Sequence, residues 1–306
     1  MKALTDNTKG ALLMCATMAG FSINDGLLKL TFDAFSIPQS LFLRGLVASS
    51  LVLLLAWRMG ALNFWPTRAE WGPLSLRAIG EVGATAAFIT ALANMPIADA
   101  TAVLQAAPLA VTMAAALFLG ERVGWRRWSA IGVGFVGMLV IVRPGAASFD
   151  VFTLLAVVSV FFVVVRDLGT RLTSARTPTL FTSAFSAVLI TVGSGLLTPL
   201  TGFAPVSAQE FGILALAGLF VGLAYIANVA SMRIGEIAVV APFRYTVLLW
   251  AIVVGFVFFG DLPDGWTLLG AAIVIAAGLY TLWRERVTRR NVGRAAGVRP
   301  YGTADR

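Results

Sequence analysis

Apolar residues in this chain fall into long, nearly unbroken runs separated by short polar stretches. Ten runs stand out, at about 10–30, 38–57, 72–94, 98–119, 126–142, 150–170, 178–198, 210–231, 236–259 and 266–283. A helix needs about 20 mostly apolar residues to cross a bilayer. The breaks carry Pro, Gly and charge: Phe35-Ser-Ile-Pro38, Asn63 to Glu70, Arg143-Pro-Gly, Arg176-Thr-Pro178 and Gly260 to Gly265. Membrane strands would alternate apolar and polar side chains, and these runs do not alternate. The pattern predicts an all-α integral membrane protein with ten transmembrane helices.

Composition narrows the chemistry. Of 306 residues, 58% are hydrophobic and 12% charged, and mean hydropathy is +0.87. Soluble domains average about 25% charged residues, and one soluble core of this length cannot hide so much apolar surface. An ordinary soluble enzyme is excluded. The chain has no His and one Cys, Cys15. His-based triads, imidazole proton relays, His or Cys metal centres and an intrachain disulfide are thereby removed. There is no G-x-x-x-x-G-K-[ST] phosphate loop, so direct ATP use is not expected. We expect no catalytic residues, no metal and no cofactor.

The net charge of +8 and pI near 10.5 follow from where Lys and Arg lie. With the N-terminus in the cytoplasm, 19 of the 23 Lys and Arg fall on the cytoplasmic side, seven of them between Arg284 and Arg306. Only Lys29 and Arg143 fall outside, while Arg44 and Arg244 lie within spans. Positive charge concentrates on the cytoplasmic face of membrane proteins. Both termini are therefore expected in the cytoplasm of a cell bounded by a bacterial inner membrane. The basic tail reads as an anchor to anionic lipid, with no nucleic-acid partner. The expected partners are the lipid bilayer and a small-molecule substrate. Seven of the eight Trp residues sit near span ends, as interfacial anchors do; Trp250 sits deep within a span.

The chain also repeats itself. Met95-Pro-Ile-Ala-Asp-Ala-Thr-Ala-Val103 matches Met232-Arg-Ile-Gly-Glu-Ile-Ala-Val-Val240 at an offset of 137. Phe118-Leu-Gly-Glu121 matches Phe258-Phe-Gly-Asp261 at 140, and Trp128-Ser-Ala-Ile-Gly132 matches Trp266-Thr-Leu-Leu-Gly270 at 138. Each copy holds five spans, and an odd number places the copies in opposite orientations. The expected organisation is a first five-helix repeat over 1–143, a second, inverted one over 144–283 and a basic tail over 284–306. Inverted repeats are an architecture of secondary transporters, with the substrate near the midplane between them.

Ten spans, a five-plus-five repeat and the Gly120-Glu121 pair closing the fourth span resemble the EamA branch of the drug/metabolite transporter superfamily. Pro108, thirteen residues before Glu121, and Arg44 near the start of the second span strengthen the likeness. The second copy departs from it: the position matching Pro108 is near Leu248, Pro242 stands earlier and Asp261 replaces Glu. The resemblance implies export of a small metabolite, and within the superfamily the chain is similar to bacterial amino-acid exporters of the YddG type.

Charged and polar residues inside the bilayer are functional candidates, because each costs several kcal/mol there unless paired. Cys15, Met18, Ser22, Asp25 and Lys29 recur at steps of three and four and share one face of the first helix. Asp25 and Lys29, one turn apart, can neutralise each other as a gating or coupling pair; Asn24 lies beside them as a substrate contact or a kink cap. Glu81 in the third span reads equally as a proton or amine site and as a partner for Arg77 one turn away or for a cation from another helix. Tyr225 and Asn228 align with Phe88 and Ala91 at the offset of 137, so Phe88 and Tyr225 are expected to face each other across a cavity suited to a flat group. Interhelical packing is the alternative. In the ninth span, Arg244 needs an anion, a carbonyl ring or water. Either a substrate carboxylate or a long reach to the cytoplasmic surface would supply one. Tyr245 pairs with Gln105 at the offset of 140, and Trp250 follows one turn later.

These readings converge on a secondary transporter that exports small metabolites, most directly apolar or aromatic amino acids, by alternating access. Arg244 would hold the carboxylate, Glu81 or Asp25 the amine, and Phe88, Tyr225, Tyr245 and Trp250 the side chain. The alternative within transport is uptake or exchange of a nucleotide-like or drug-like metabolite.

Overall fold

Six of the helices start on a side-chain cap, and those caps fix where spans begin. The computed structural model describes residues 5–121, 123–146, 149–174 and 176–295. Thr5 caps α1 (Asp6–Lys29), and Ser36 caps α2 (Ile37–Arg58), whose first turn also holds Pro38. Before α3 (Arg68–Asn94), Glu70 reaches back to the Thr67 N–H at 2.7 Å. Asp150 Oδ1 accepts the Thr153 N–H at 2.8 Å to open α7 (Val151–Leu172). Ser207 and Glu210 bond reciprocally at the start of α9 (Ala208–Ile234). Asp264 Oδ1 accepts the Thr267 N–H at 2.7 Å at the start of α12 (Gly265–Ala295). Each cap satisfies amides that would otherwise be orphaned at a helix start.

The remaining helices are α4 (Ile97–Leu104), α5 (Ala107–Phe118), α6 (Trp125–Val142), α8 (Thr179–Thr201), α10 (Ile237–Val240) and α11 (Thr246–Phe259). Together they give ten membrane-spanning segments, with no strand among the described residues. The segments agree with the hydropathy pattern to within a few residues, with two differences. The last helix continues past Trp283 to Ala295, because Arg284–Ala295 is rich in good helix formers. The expected basic tail thus begins as helix, and its residues 296–306 lie outside the described ones.

The second difference is that the fourth and ninth spans are broken in the middle. The fourth is interrupted at Gln105-Ala106, between α4 and α5, and the ninth passes through a 3₁₀ turn at Ala241–Tyr245. Pro108 and Pro242 are the cause. Proline has no N–H to donate and its ring clashes with the carbonyl four residues back. At the first break, Gln105 N shares Thr101 O and Ala102 O at 3.2 Å, and Ala106 N turns to Val103 O. Such tightened bonds are how a helix closes locally.

The helices pack chiefly as the pairs α3–α7, α1–α9, α6–α12 and α2–α8. Glycines set the closeness of α3 and α7: a Cβ at Gly80 would strike the Arg166 backbone, and one at Gly169 the Arg77 backbone. Gly137 and Gly270 play the same part between α6 and α12. Small residues at such crossings let backbones approach where lipid offers no hydrophobic drive. The outer surface is apolar: Leu196, Leu200, Phe118 and Val257 are among the most exposed side chains, as expected of helices facing hydrocarbon.

Candidate functional site

The close approach of α3 and α7 brings a charged cluster to the middle of the bundle. Glu81 is buried, with Oε2 3.6 Å from Arg77 NH1 and Oε1 3.8 Å from Arg166 NH1. Arg166 Nε donates to Asp167 Oδ1 at 2.8 Å, and Arg77 also donates to Ser186 Oγ on α8. Glu81 is therefore clamped between two guanidiniums. Its expected pairing with Arg77 is present, and Arg166 on α7 is the cation from another helix, whose identity the sequence did not reveal. Arg166 lies six residues from the end of α7, and the glycine crossing is what turns it inward.

A second branch comes from α1 and α2. Asn24 is 2% exposed; its Nδ2 donates to Asp25 Oδ1 at 2.9 Å and its Oδ1 accepts from Arg44 NH1 at 3.3 Å. Arg44 belongs to this cluster, and its Nε is buried with no hydrogen-bond partner among the described residues. Lys29 does not pair with Asp25. Its ammonium donates to Met95 O and lies 5.3 Å from the centroid of the Phe259 ring. The Met95 carbonyl takes the place of the carboxylate one turn back.

Tyr225 on α9 joins the two branches. Its hydroxyl lies in the electrostatic reach of Glu81, Arg166, Arg44 and Arg77. Its ring meets Phe21 edge-on, with centroids 5.5 Å apart and planes at 77°. The expected Phe88–Tyr225 wall is not formed: Phe88 packs in an apolar cluster with Leu28, Leu92 and Ile97. The reason is the pairing of α1 with α9 and of α3 with α7, which puts Phe21 rather than Phe88 beside Tyr225. Asn228 is half-buried one turn further along α9.

The broken spans meet at this level. Gln105 Nε2 donates to Tyr245 O at 3.4 Å, so the two positions matched by the repeat touch. The Tyr245 side chain is buried against Gly278, and its hydroxyl has no hydrogen-bond partner among the described residues. Arg244, in the 3₁₀ turn, is exposed and feels Asp167, Arg166 and Tyr245, but no carboxylate lies within 4 Å of it among the described residues. Trp250 is 37% exposed, on the outward face of α11 with Val253 and Val257. It is a surface aromatic rather than part of the cluster. The centre thus holds Arg44, Arg77, Arg166 and Arg244 against Asp25, Glu81 and Asp167, a net positive charge.

Towards the end of the bundle where α1 finishes, the elements draw together. Gly26 abuts Val254 and Phe258, Lys29 holds Met95 O, and Arg143 NH2 meets Asp264 Oδ2 at 2.6 Å. Arg143 adopts φ 47° as the C-cap of α6, a left-handed conformation uncommon for a side chain of this size. A cavity of about 220 Å³ beside it is lined by Asp99, Arg143, Asp150, Thr153 and Thr267. Backbone amides and Arg143 hold the Asp264 carboxyl below the usual carboxylate range, and the Thr153 amide does the same for Asp150.

No group of His, Cys, Asp and Glu suited to a metal ion occurs among the described residues. The cluster is instead equipped to bind hydrogen-bond acceptors or anions, through guanidinium groups with unused donors.

Residues 8–143 match the EamA-like transporter family. A riboflavin transporter of Rhizobium johnstonii is 32% identical over 220 residues, covering 72% of each chain. A riboflavin transporter of Vibrio cholerae is 28% identical over 288 residues, 92% of this chain and 96% of that one. A pseudopaline exporter of Pseudomonas aeruginosa is 25% identical and covers 88% of this chain and 94% of its own. One crystal structure of a protein superimposes with a TM-score of 0.57 at 20% identity, over 89% of this chain and 98% of the other.

Proposed function

Because the chain belongs to the EamA family of the drug/metabolite transporter superfamily, we propose that it carries a flat, acceptor-rich aromatic metabolite of the riboflavin class across the bacterial inner membrane by alternating access. The observation that carries this reading is Arg244. It is a guanidinium at a broken span with no carboxylate within 4 Å among the described residues, near Arg166 and the buried Tyr245. A heterocycle with ring carbonyls would satisfy it without a full negative charge. Tyr225 and Phe21 offer aromatic surface on the other side of the cluster. The riboflavin transporters among the relatives support the same substrate class.

The transport cycle follows from the two halves. Residues 1–143 and 144–283 are read as inverted repeats, and the packing supports it: exchanging the halves turns the α1–α9 contact into the α7–α3 contact. Broken helices at matching positions are a hallmark of midplane binding sites in such carriers. One half would rock against the other, opening the centre first to one side and then to the other. The Lys and Arg distribution supports cytoplasmic termini. No catalytic step is involved.

Amino-acid export is the second reading, favoured by the capacity of Arg244 for a carboxylate. It is weakened at the amine end, because Glu81 is already held by Arg77 and Arg166. Counterflow in proteoliposomes separates the two. Vesicles loaded with unlabelled riboflavin are expected to take up labelled riboflavin, while vesicles loaded with phenylalanine, tryptophan, threonine or methionine show no exchange of the matching label. Amino-acid counterflow without riboflavin counterflow would reverse the order of the readings. Neither, from folded protein, would sink both.

A further inference from the structure

We propose that Asp25 takes up and releases the proton that drives transport, that Glu81 is a fixed charge, and that Arg44 links the proton to the substrate. The inference rests on the transporter reading above and adds its coupling ion and the sign of coupling.

Three carboxylates reach the centre, and their partners differ in kind. Both oxygens of Glu81 face guanidiniums, at 3.6 and 3.8 Å. Asp167 holds Arg166 Nε at 2.8 Å. Protonating either would leave cations facing one another in a medium of low dielectric, which is strongly disfavoured. Asp25 has no cation within 4 Å among the described residues; its partner is the neutral Asn24 amide at 2.9 Å. Arg44 reaches it only through the other end of that amide, at 3.3 Å. Asp25 can therefore lose or gain its charge without breaking a direct ion pair, and what changes is the pull it exerts on Arg44 through Asn24.

The groups around it leave no other proton acceptor in position. Arg44 approaches from α2, and Tyr225 on α9 acts on Arg44 in turn. The 3₁₀ turn packed on α1 supplies Arg244 and Tyr245, α10 and α11 supply no titratable residue, and α3 supplies the paired Arg77 and Glu81. On α1 itself, Lys29 is engaged at Met95 O, and Cys15 lies ten residues, nearly three turns, away.

Arg44 gives the sign. Its Nε is buried with no hydrogen-bond partner among the described residues, so it is drawn either to an ionised Asp25 or to an acceptor group on the substrate. Protonation of Asp25 releases Arg44 for the substrate, and substrate on Arg44 favours protonated Asp25. Linkage is reciprocal: binding takes up a proton, binding tightens as pH falls, and proton and substrate cross together. One proton enters on the Asp25 carboxylate on one side and leaves from it on the other.

Two measurements decide this. The first needs no substrate: a hydrophobic carbodiimide, which reacts with protonated carboxyls, is applied to the purified protein over a pH series and the modified peptides are identified by mass spectrometry. Asp25 should be modified increasingly as pH falls, and Glu81 should not. Modification of Glu81 with Asp25 spared would overturn the proposal. The second compares riboflavin accumulation under an imposed proton gradient with riboflavin counterflow at equal pH. In Asp25→Asn the ratio of accumulation to counterflow should drop by about tenfold or more, a coupling in the usual range, and Asp25→Glu should restore it with a displaced pH profile. An unchanged ratio in Asp25→Asn, or proton release on riboflavin binding by the unmodified protein, would also overturn it. Absence of riboflavin counterflow in the unmodified protein would count against the carrier reading alone, since carbodiimide labelling reads the proton site without transport.

Discussion

Arg244 makes the most direct demand at the scale of single residues. A guanidinium at mid-span with no carboxylate within 4 Å is costly unless something binds it. Arg244→Ala is expected to lower riboflavin counterflow by about tenfold or more, the loss of one charge-assisted hydrogen bond of roughly 1.5–3 kcal/mol. Arg244→Lys should recover part of it, because an ammonium supplies charge without the planar fork. Thermal unfolding should change little, since no carboxylate lies within 4 Å of the group among the described residues. A large fall in unfolding temperature would instead mark Arg244 as structural. Part of this was legible beforehand. The offset of 140 paired Gln105 with Tyr245, and the two touch. The offset of 137 paired Phe88 with Tyr225, and they do not meet, because a repeat aligns positions without saying which neighbour stands between them. Helical spacing allowed Asp25 to reach Lys29 but could not weigh that contact against the Met95 carbonyl, which comes from sequence far away.

Among elements, the crossing of α3 and α7 carries the central ion cluster. Gly80 sits against the Arg166 backbone and Gly169 against the Arg77 backbone. Gly80→Ala must push the helices apart, at a cost of about 1–3 kcal/mol for overpacking. It is expected to lower the unfolding temperature in detergent and to weaken transport together, since Arg166 is carried away from Glu81. Gly132→Ala on α6, which meets nothing within 4 Å, serves as the control and should be neutral or slightly stabilising, as a helix gains by losing glycine. Equal behaviour of the two variants would count against the crossing as the organiser of the site. Element positions were readable because a bilayer demands a run of fixed length. The breaks at Gln105-Ala106 and Ala241–Tyr245 were not, since apolar residues continue straight through them. Pro108 and Pro242 were the available signal, and their steric effect outweighs the continuous pattern.

For the whole molecule, the asymmetry between the two ends is the property to test. Where α1 finishes, Lys29, Gly26 and the Arg143–Asp264 pair join α1, the end of α3, α6, α11 and α12; Arg244 remains exposed. If this is one state of an alternating-access cycle, a cysteine at Asn228, in a background with Cys15→Ser, should react with a membrane-impermeant maleimide from one side only. By the Lys and Arg distribution that side is the cytoplasm, so inside-out vesicles should label and right-side-out vesicles should not. The Arg143–Asp264 contact then has two separable effects. The Asp264 carboxyl is held below the usual range, so its stabilisation is complete above the unfolded value near 3.9 and is lost as pH falls through the lower folded one. Asp264→Ala should cost about 1 kcal/mol through the lost helix cap and flatten the acid limb of the stability profile. Asp264→Asn keeps an oxygen for the Thr267 amide while removing the charge that Arg143 meets. It should therefore leave stability nearly intact yet raise labelling at position 228 from the opposite side. Unchanged sidedness in Asp264→Asn would mean that the pair caps a helix and does not hold the end closed.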